Sequence, residues 1–203
     1  MLCTMLLPYF RHGETEAGCD EAGRGCIADP VFASAVILPE GFSHPELNDS
    51  KQLGPKTREK LRRIIEKEAI AFAVASVDAA EIDSTNILKA SIKAMHKALE
   101  KLGIRPDFII VDGNRFYPYR DIPYECVIKG DARFASVAAA SILAKTYRDS
   151  YMKEAAMKYP GYGWEKNFGY PTAGHRKAVA ELGYTPLHRK TFRILPEPVL
   201  FPE

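Results

Sequence analysis

The sequence predicts an α/β protein with a mixed sheet and a helical C-terminal appendage. Short apolar runs of strand length come early in the chain, helical patterns separate them, and only helical patterns follow residue 132. The length of 203 residues suits one domain, or one domain with a small addition. We therefore expect a core over residues 1–158 and the appendage over residues 159–203, joined as one structural unit.

In the first half of the chain, strands and helices alternate. Pro55 suits the first position of a helix, directly after Gly54. A longer helix is expected to begin at a cap formed by Asp83 or Ser84 and to end at Gly103, because apolar residues lie at helical spacing between them. Apolar or alternating runs predict strands over residues 15–20, 31–38 and 70–77.

In the second half, two strands precede two helices. The continuous apolar run 108–111 predicts a strand that is covered on both faces, as in a parallel sheet. Residues 124–128 predict another strand. An alanine-rich segment predicts one long helix over residues 132–158, and a shorter helix is expected over residues 173–182.

The composition excludes several classes of protein. Hydrophobic residues make up 46% and charged residues 27%, and no run of about 18 apolar residues predicts a membrane span. The apolar segment from Met1 to Phe10 contains Pro8 and lacks a basic region, so we interpret it as a lead-in arm rather than a signal peptide. We therefore expect a cytoplasmic protein with reduced thiols.

Neither the net charge nor the cysteines identify a ligand. The net charge of +2 is too small to indicate a partner, and four cysteines without a C-x-x-C pair argue against a structural zinc site. A basic C-terminal stretch suits either a polyanion or a solvated surface. It comprises Arg176, Lys177, His188, Arg189, Lys190 and Arg193.

Four acidic residues lie at or beside predicted strand ends. Asp20 and Glu21 are adjacent, and neighbouring side chains of a regular strand point to opposite faces, so both serve one site only if the strand ends or bulges there. The following Gly23 permits such a change. Asp112 and Asp131 each follow a strand at the edge where open α/β sheets bind ligands.

Carboxylates gathered at such an edge favour Mg²⁺ or Mn²⁺. Two such ions, about 3.5–4 Å apart, suit the in-line displacement of a phosphoryl group. Plainer interpretations remain open from the residues alone: a surface pair for Asp20 and Glu21, a turn residue for Asp112, and a helix cap for Asp131.

Six segments, in order from about residue 16 to residue 193, carry a resemblance to a known family. The chain resembles type 2 ribonuclease H, the ribonuclease HII family. The matching segments are Gly18-Cys19-Asp20-Glu21-Ala22-Gly23-Arg24-Gly25, Leu47-Asn48-Asp49-Ser50-Lys51, Val111-Asp112-Gly113-Asn114, Lys129-Gly130-Asp131, the run 136–145 followed by Arg148-Asp149, and Gly169-Tyr170-Pro171-Thr172.

The resemblance implies a ribonuclease H-like fold, with a five-stranded mixed sheet flanked by helices. It implies an endonuclease that hydrolyses the RNA strand of RNA–DNA hybrids and cuts on the 5′ side of ribonucleotides embedded in duplex DNA. The products carry a 3′-hydroxyl and a 5′-phosphate. By position in the motifs, the metal ligands and catalytic residues are Asp20, Glu21, Asp112 and Asp131, holding Mg²⁺ or Mn²⁺.

The resemblance also implies how the ribose is recognised. Backbone groups of Gly23, Arg24 and Gly25 would contact its 2′-hydroxyl, and Tyr170 would bond to the same hydroxyl and stack on the next sugar. Without the family, Tyr170 is equally a tyrosine packed in a turn. Candidate phosphate contacts, which otherwise suit ordinary surface charge, are Lys51, Lys145 and Arg148.

The segment after Gly25 departs from the family pattern. Cys26 replaces a frequent proline, and Asp29 stands where glycine is more common. Asp29 either adds negative charge near the site or lies in a turn, and we favour the turn. Whether Cys19 and Cys26 pair under oxidation stays open, and a monomer without an obligate protein partner is expected.

The residues leave two rival functions open. Arg11-His12-Gly13-Glu14 resembles the first motif of histidine phosphatases, although Pro8 weakens the strand that should precede it and no partner motif follows. A nucleic-acid-binding protein without chemistry would explain the basic C-terminal stretch. It would not explain four acids at strand ends, which repel phosphate unless a cation is bound.

Overall fold

A computed structural model describes residues 6–194. Five strands, six α-helices and a 3₁₀ turn over Gly130–Ala132 form the fold. None of the helices in residues 6–194 has both the length and the apolar character needed to cross a membrane. The elements are β1 (Glu16–Ala22), β2 (Val31–Ile37), α1 (Pro55–Glu68), β3 (Ala71–Val77), α2 (Ala79–Ser84), α3 (Ile87–Lys101), β4 (Phe108–Asp112), β5 (Tyr124–Val127), α4 (Ala135–Lys158), α5 (Trp164–Asn167) and α6 (Ala173–Leu182).

The five strands form one mixed sheet in the order β3-β2-β1-β4-β5, which confirms the predicted class. Strand β1 is central: it pairs antiparallel with β2 and parallel with β4, and β5 continues the parallel half. The ends of β1, β4 and β5 therefore lie at one edge of the sheet. The acidic residues Asp20, Glu21 and Asp112 lie at this edge.

Helices cover both faces of the sheet. On one face, α3 packs on buried residues of β1, β2 and β4, among them Cys19, Ala35 and Val111. On the other face, α1 and α4 enclose a second cluster that includes Val36 of β2. Helix α4 approaches β1 closely because residue 18 is glycine: a Cβ atom there would overlap the backbone of Ser136 and Val137.

Two helix starts differ from the expectation. The cap of α3 is Asn86, whose side chain accepts from the Lys89 N–H, because residues 79–84 form the separate helix α2 under its own cap, Asp78. Helix α4 begins at Ala135 rather than residue 132. The left-handed backbone of Lys129, with φ of 57°, starts the 3₁₀ turn over the three residues that follow it.

The C-terminal appendage is helical, as predicted. Helices α5 and α6 pack against the last turns of α4 and against Ile27, in a cluster centred on the fully buried Trp164. At the other end, Leu7 of the N-terminal arm pairs with Phe134. The boundary at residue 158 remains a prediction, and the tail from residue 196 onward lies outside the described residues.

Candidate active site

Three carboxylates meet at the edge where β1, β4 and β5 end. Cys19 pairs with Val111, so the residues that follow, Asp20 and Asp112, stand side by side on parallel strands. The 3₁₀ turn after β5 brings Asp131 to the same place. Each residue offers a carboxylate oxygen, and these oxygens all lie within 4.8 Å of one another.

Few hydrogen bonds satisfy these oxygens. Asp20 Oδ1 accepts from the Glu21 N–H at 2.7 Å, and Asp112 Oδ1 accepts from the Gly130 N–H at 2.8 Å. Asp131 Oδ2 is buried and has no hydrogen-bond partner. The nearest cation to it is the Lys51 ammonium, whose Nζ lies 3.7 Å away. This edge therefore concentrates negative charge that the protein itself leaves largely uncompensated.

The electrostatics agree with this description. Burial raises the pKa of Asp20 well above its usual range, and the neighbouring charges of Glu21 and Asp112 raise it further. Burial also raises the pKa of Asp131 to about 6, with Asp112 and Asp49 adding to the effect. An orphaned buried oxygen among three carboxylates fits a hard divalent cation, because such an ion takes oxygen ligands and would relieve the repulsion.

Glu21 stands beside this cluster rather than within it. Strand β1 pairs regularly with β2 up to Ala22 and ends one residue after Glu21, so the acidic pair contains no bulge and its two side chains point to opposite faces. The Glu21 carboxylate pairs with Arg24 Nη1 at 3.1 Å. It shares a small cleft of about 20 Å³ with Asp112. Its assignment as a metal ligand stays a prediction.

The two segments predicted to recognise ribose are neighbours. Gly23 is buried with φ of 98°, while Arg24 and Gly25 are exposed. The N–H groups of residues 27 and 28, just after this loop, donate to the Gly169 carbonyl at 2.9 and 3.4 Å. Tyr170, next in the chain, keeps 39% of its surface exposed. The structure thus brings the two segments together, directly after the strand that carries Asp20 and Glu21.

The basic candidates divide into two groups. Lys51 is exposed beside Asp131, and Lys145 lies with its Nζ 5.7 Å from the centre of the Tyr170 ring while it pairs with Asp149 at 2.7 Å. Arg148, in contrast, has no exposed surface. A direct phosphate contact by Arg148 does not fit this burial, since residues 26–29 and 168–170 cover that side of α4.

What holds Arg148 is a residue that the sequence analysis placed in a turn. Asp29 is fully buried and pairs with Arg148 and with a second buried arginine, Arg189. Asp29 does lie in a bend between Ala28 and Pro30, but its carboxylate is buried and ion-paired there. Nearby, Cys19 and Cys26 are both buried free thiols, and burial raises the pKa of Cys26 to about 12.

A buried histidine pair supports the Tyr170 segment. His175 Nδ1 lies 2.9 Å from the Tyr170 carbonyl, which only accepts, so Nδ1 carries the proton and donates. His175 Nε2 then accepts from Trp164 Nε1–H at 2.9 Å, and His188 Nε2 lies 3.3 Å from it. His175 Nε2 accepts from Trp164, and His188 Nδ1 accepts from the Thr185 N–H at 2.9 Å, so these two hydrogen bonds require both rings to be neutral. Burial lowers the pKa of His175, and it lowers that of His188 to about 4.

The segment with the histidine phosphatase resemblance lies elsewhere. Arg11 packs over the Phe108 ring at 4.1 Å and pairs with Glu14 at 3.4 Å, and His12 is exposed. These residues precede β1, at the end of the sheet opposite to Asp20. Within residues 6–194, the segment forms turns and bends without the leading strand that the resemblance requires.

Comparisons with known proteins agree with the site. The model of the ribonuclease HII family matches residues 17–195. Ribonuclease HII of Parabacteroides distasonis is 62% identical over 193 residues, which are 95% of this chain and 97% of that protein. The protein of the same name from Bacteroides thetaiotaomicron is 59% identical over 191 residues, covering 94% of this chain and 96% of the other.

A solved structure is also similar. Ribonuclease H2 from Pyrococcus horikoshii OT3 matches with a TM-score of 0.75 and 28% identity, over 88% of this chain and 94% of that chain. Fold and sequence together define the class: a metal-dependent endoribonuclease with the ribonuclease H-like fold. Within that class, the chain belongs to the ribonuclease HII family.

Proposed function

We propose that this chain hydrolyses the RNA strand of RNA–DNA hybrids and cuts on the 5′ side of ribonucleotides embedded in duplex DNA. The products carry a 3′-hydroxyl and a 5′-phosphate. The observation that carries the proposal is the cluster of Asp20, Asp112 and Asp131, with its unpartnered buried oxygen, in a chain of the ribonuclease HII family. In a cell, such an activity would begin the removal of ribonucleotides from DNA.

The acidic edge would hold two divalent ions, Mg²⁺ or Mn²⁺, through Asp20, Asp112 and Asp131, with Glu21 as the fourth ligand. Bound there, these ions would activate water and neutralise charge that develops on the leaving oxygen. The contribution of the protein is to hold the carboxylates close together at a largely buried edge, where a bound cation would favour their ionised form. Their combined negative charge would attract cations and repel the phosphates of the nucleic acid.

Recognition of the substrate would lie beside this edge. Backbone groups of Gly23, Arg24 and Gly25, together with the Tyr170 hydroxyl, would test for a 2′-hydroxyl on the sugar. The exposed Lys51 lies next to Asp131, and the partly buried Lys145 lies next to the Tyr170 ring. Both positions suit contacts to phosphates that flank the cut. Arg148, which has no exposed surface, would act from within the protein rather than on a phosphate.

We propose that the protein acts as a monomer in the cytoplasm without an obligate protein partner. Its substrates would be RNA–DNA hybrids and DNA that contains ribonucleotides. A nucleic-acid-binding protein without chemistry is the alternative that the same experiment excludes, since binding alone releases no product.

The test is an assay on duplex DNA with one embedded ribonucleotide, with Mg²⁺, with Mn²⁺ and with neither, beside a continuous RNA–DNA hybrid and all-DNA and all-RNA controls. We expect cuts only with a metal and only where ribonucleotides are present. A DNA polymerase should extend the upstream product, which would demonstrate its 3′-hydroxyl. Cleavage of all-DNA duplex at a comparable rate, or no cleavage at the ribonucleotide, would contradict the proposal.

A further inference from the structure

Asp29 holds a backbone conformation that ordinarily favours glycine. Its φ is 125°, in the region that residues with side chains rarely adopt. The residue is also fully buried, side chain included. A strained position and a buried charge each cost stability, so their coincidence in one residue points to a role for the carboxylate. The partners of that carboxylate identify the role.

Two arginines bind the carboxylate from opposite elements. Arg148 of α4 donates from Nε to Oδ2, and Arg189 of the C-terminal appendage donates from Nη2 to Oδ1 at 2.7 Å. Arg189 Nε also donates to the Asp29 backbone carbonyl at 3.1 Å. None of the three side chains has exposed surface. The three side chains are therefore held in fixed relative positions, because moving one of them away would leave a buried charge without its partner.

Arg189 extends this arrangement to the Gly23–Gly25 loop. Its Nη1 donates to the Arg24 carbonyl at 3.1 Å, and its backbone N–H donates to the Ile27 carbonyl at 2.9 Å. Arg148 lies against the same loop, since a Cβ atom at Gly23 would come within 2.6 Å of Arg148 Nε. Both arginines thus fix the backbone that is proposed to read the ribose.

Arg148 extends the arrangement to the other proposed ribose contact. Its Nη2 donates to the Phe168 carbonyl, and its guanidinium carbon lies 5.2 Å from the centre of the Tyr170 ring. The Gly169 position admits no side chain, because a Cβ there would overlap the Ala28 carbonyl oxygen. One carboxylate therefore connects the two recognition segments through two buried cations.

We propose that Asp29 is a positioning residue that sets the Gly23–Gly25 loop against Tyr170, and that Arg148 and Arg189 transmit this to the ribose site without contacting the nucleic acid. The inference rests on the proposed function. Displacing a recognition group by about 1 Å costs on the order of 10²-fold in rate, so loosening this connection should lower the rate of cleavage rather than the affinity for the duplex.

The experiment is a double-mutant cycle between Asp29→Asn and Tyr170→Ala, measured as kcat and KM on the embedded ribonucleotide. Asparagine keeps the shape and removes the charge. We expect Asp29→Asn to lower kcat about tenfold or more in the wild-type background but less than about threefold in the Tyr170→Ala background. The affinities for duplex and for Mn²⁺ should stay within about twofold.

The matched control is Glu66→Gln, which removes a partly buried carboxylate that accepts from Arg62 at 2.7 Å and from Tyr147 at 2.9 Å, in another part of the molecule. It should leave kcat unchanged. An equal loss for Asp29→Asn in both backgrounds would overturn the proposal, because a general loss of structure acts regardless of Tyr170. Should Asp29→Asn fail to fold, Arg189→Lys enters the same cycle, since lysine keeps the charge and loses the contact with Arg24.

Hydrogen exchange separates this inference from the proposed function. Asp29→Asn should speed exchange of the amides in residues 23–28 and 168–170 together, with no change in β4. If the wild-type protein leaves the embedded ribonucleotide uncut, the proposed function fails. The exchange measurement still tests whether Asp29 holds the two segments together. Faster exchange in only one of the two segments, or in neither, would overturn the inference.

Discussion

Two buried clusters of charge lie on either side of the Gly23–Gly25 loop, and they are built in opposite ways. The acidic cluster brings Asp20, Asp112 and Asp131 together with little compensation, and one carboxylate oxygen has no hydrogen-bond partner. The second cluster places Asp29 between Arg148 and Arg189, so that its carboxylate is fully used. Both are largely buried, yet only the second contains charges of both signs in direct contact; Arg148 Nη1 there makes no hydrogen bond and lies 3.6 Å from Asp149 Oδ1.

The difference indicates which cluster is suited to bind a cation. Like charges held together raise the free energy of the metal-free protein, and a bound cation recovers that energy. The Asp29 carboxylate already has two arginine counter-ions, so it needs no cation and serves to hold chain segments in place. Buried charge alone therefore does not identify an active site, whereas buried charge without compensation does.

The strongest test of this distinction is Asp112→Asn. It removes one carboxylate from the acidic cluster and should lower the cleavage rate on the order of 10³-fold while sparing affinity for the hybrid. Single-turnover kinetics in Mg²⁺, with binding measured separately, check this. Asp121→Asn, in an exposed pair with Arg105, is the matched control. Normal turnover by Asp112→Asn would remove the acidic cluster from the reaction.

The two clusters should respond to neutralisation with opposite signs. Asp29→Asn should destabilise the protein by about 3–5 kcal/mol, because it leaves two buried arginines without their carboxylate. Asp131→Asn should stabilise the metal-free protein by about 1 kcal/mol, because it relieves repulsion. Urea unfolding without metal measures both. Destabilisation of similar size in the two variants would show that the acidic cluster is compensated after all.

The histidine pair adds a third arrangement, in which buried groups are kept uncharged. Since the folded state holds the pKa of His188 at about 4, the unfolded chain takes up protons first as the pH falls below 6.5. The stabilising contribution is complete above that pH and is lost between pH 6.5 and 4. Its size is about 3 kcal/mol.

Trp164, the only tryptophan of the chain, reports on this pair because its Nε1 donates to His175. Urea midpoints followed by its fluorescence from pH 7.5 to pH 4 should fall more steeply for the wild type than for His188→Asn. Replacement of the exposed His12 by asparagine should leave the wild-type slope unchanged. The same dependence of the urea midpoint on pH in all three proteins would show that His188 does not cause this loss of stability.

The smallest effect is expected at Tyr170, which is the exposed edge of the Asp29 arrangement. Tyr170→Ala should lower cleavage at an isolated ribonucleotide by roughly tenfold, which corresponds to the loss of one stacking contact, with a much smaller effect on duplex affinity. Tyr170→Phe separates the hydroxyl from the ring. Unchanged kinetics of Tyr170→Ala on that substrate would remove this residue from ribose recognition.

The acidic cluster could be predicted because its information is local. An apolar run that stops at an aspartate predicts a strand end, and parallel strand ends meet at one edge, so Asp20, Asp112 and Asp131 follow from patterns a few residues long. The position of Glu21 could not be obtained in this way. It depends on whether β1 bulges, and the regular pairing with β2 shows that it does not.

The Asp29 cluster was missed because its information is distant. Asp29 and Arg189 are 160 residues apart, and no local pattern connects them. Arg148 looked like a surface cation because α4 is alanine-rich and buried along most of its length, so no polar face marks which of its residues lie outside. The start of α3 was misplaced because Asp78 and Asn86, eight positions apart, cap two separate helices that the apolar pattern alone does not divide.

The glycine at position 18 has a consequence for protein engineering. Because no atom separates β1 from α4 there, the strand that carries Asp20 and the helix that carries Lys145 and Arg148 are spaced by the thickness of bare backbone. Any side chain at this position would wedge the two elements apart, two residues from the nearest carboxylate. A library of substitutions screened for cleavage should therefore tolerate almost no change at position 18, although this residue has no functional group of its own.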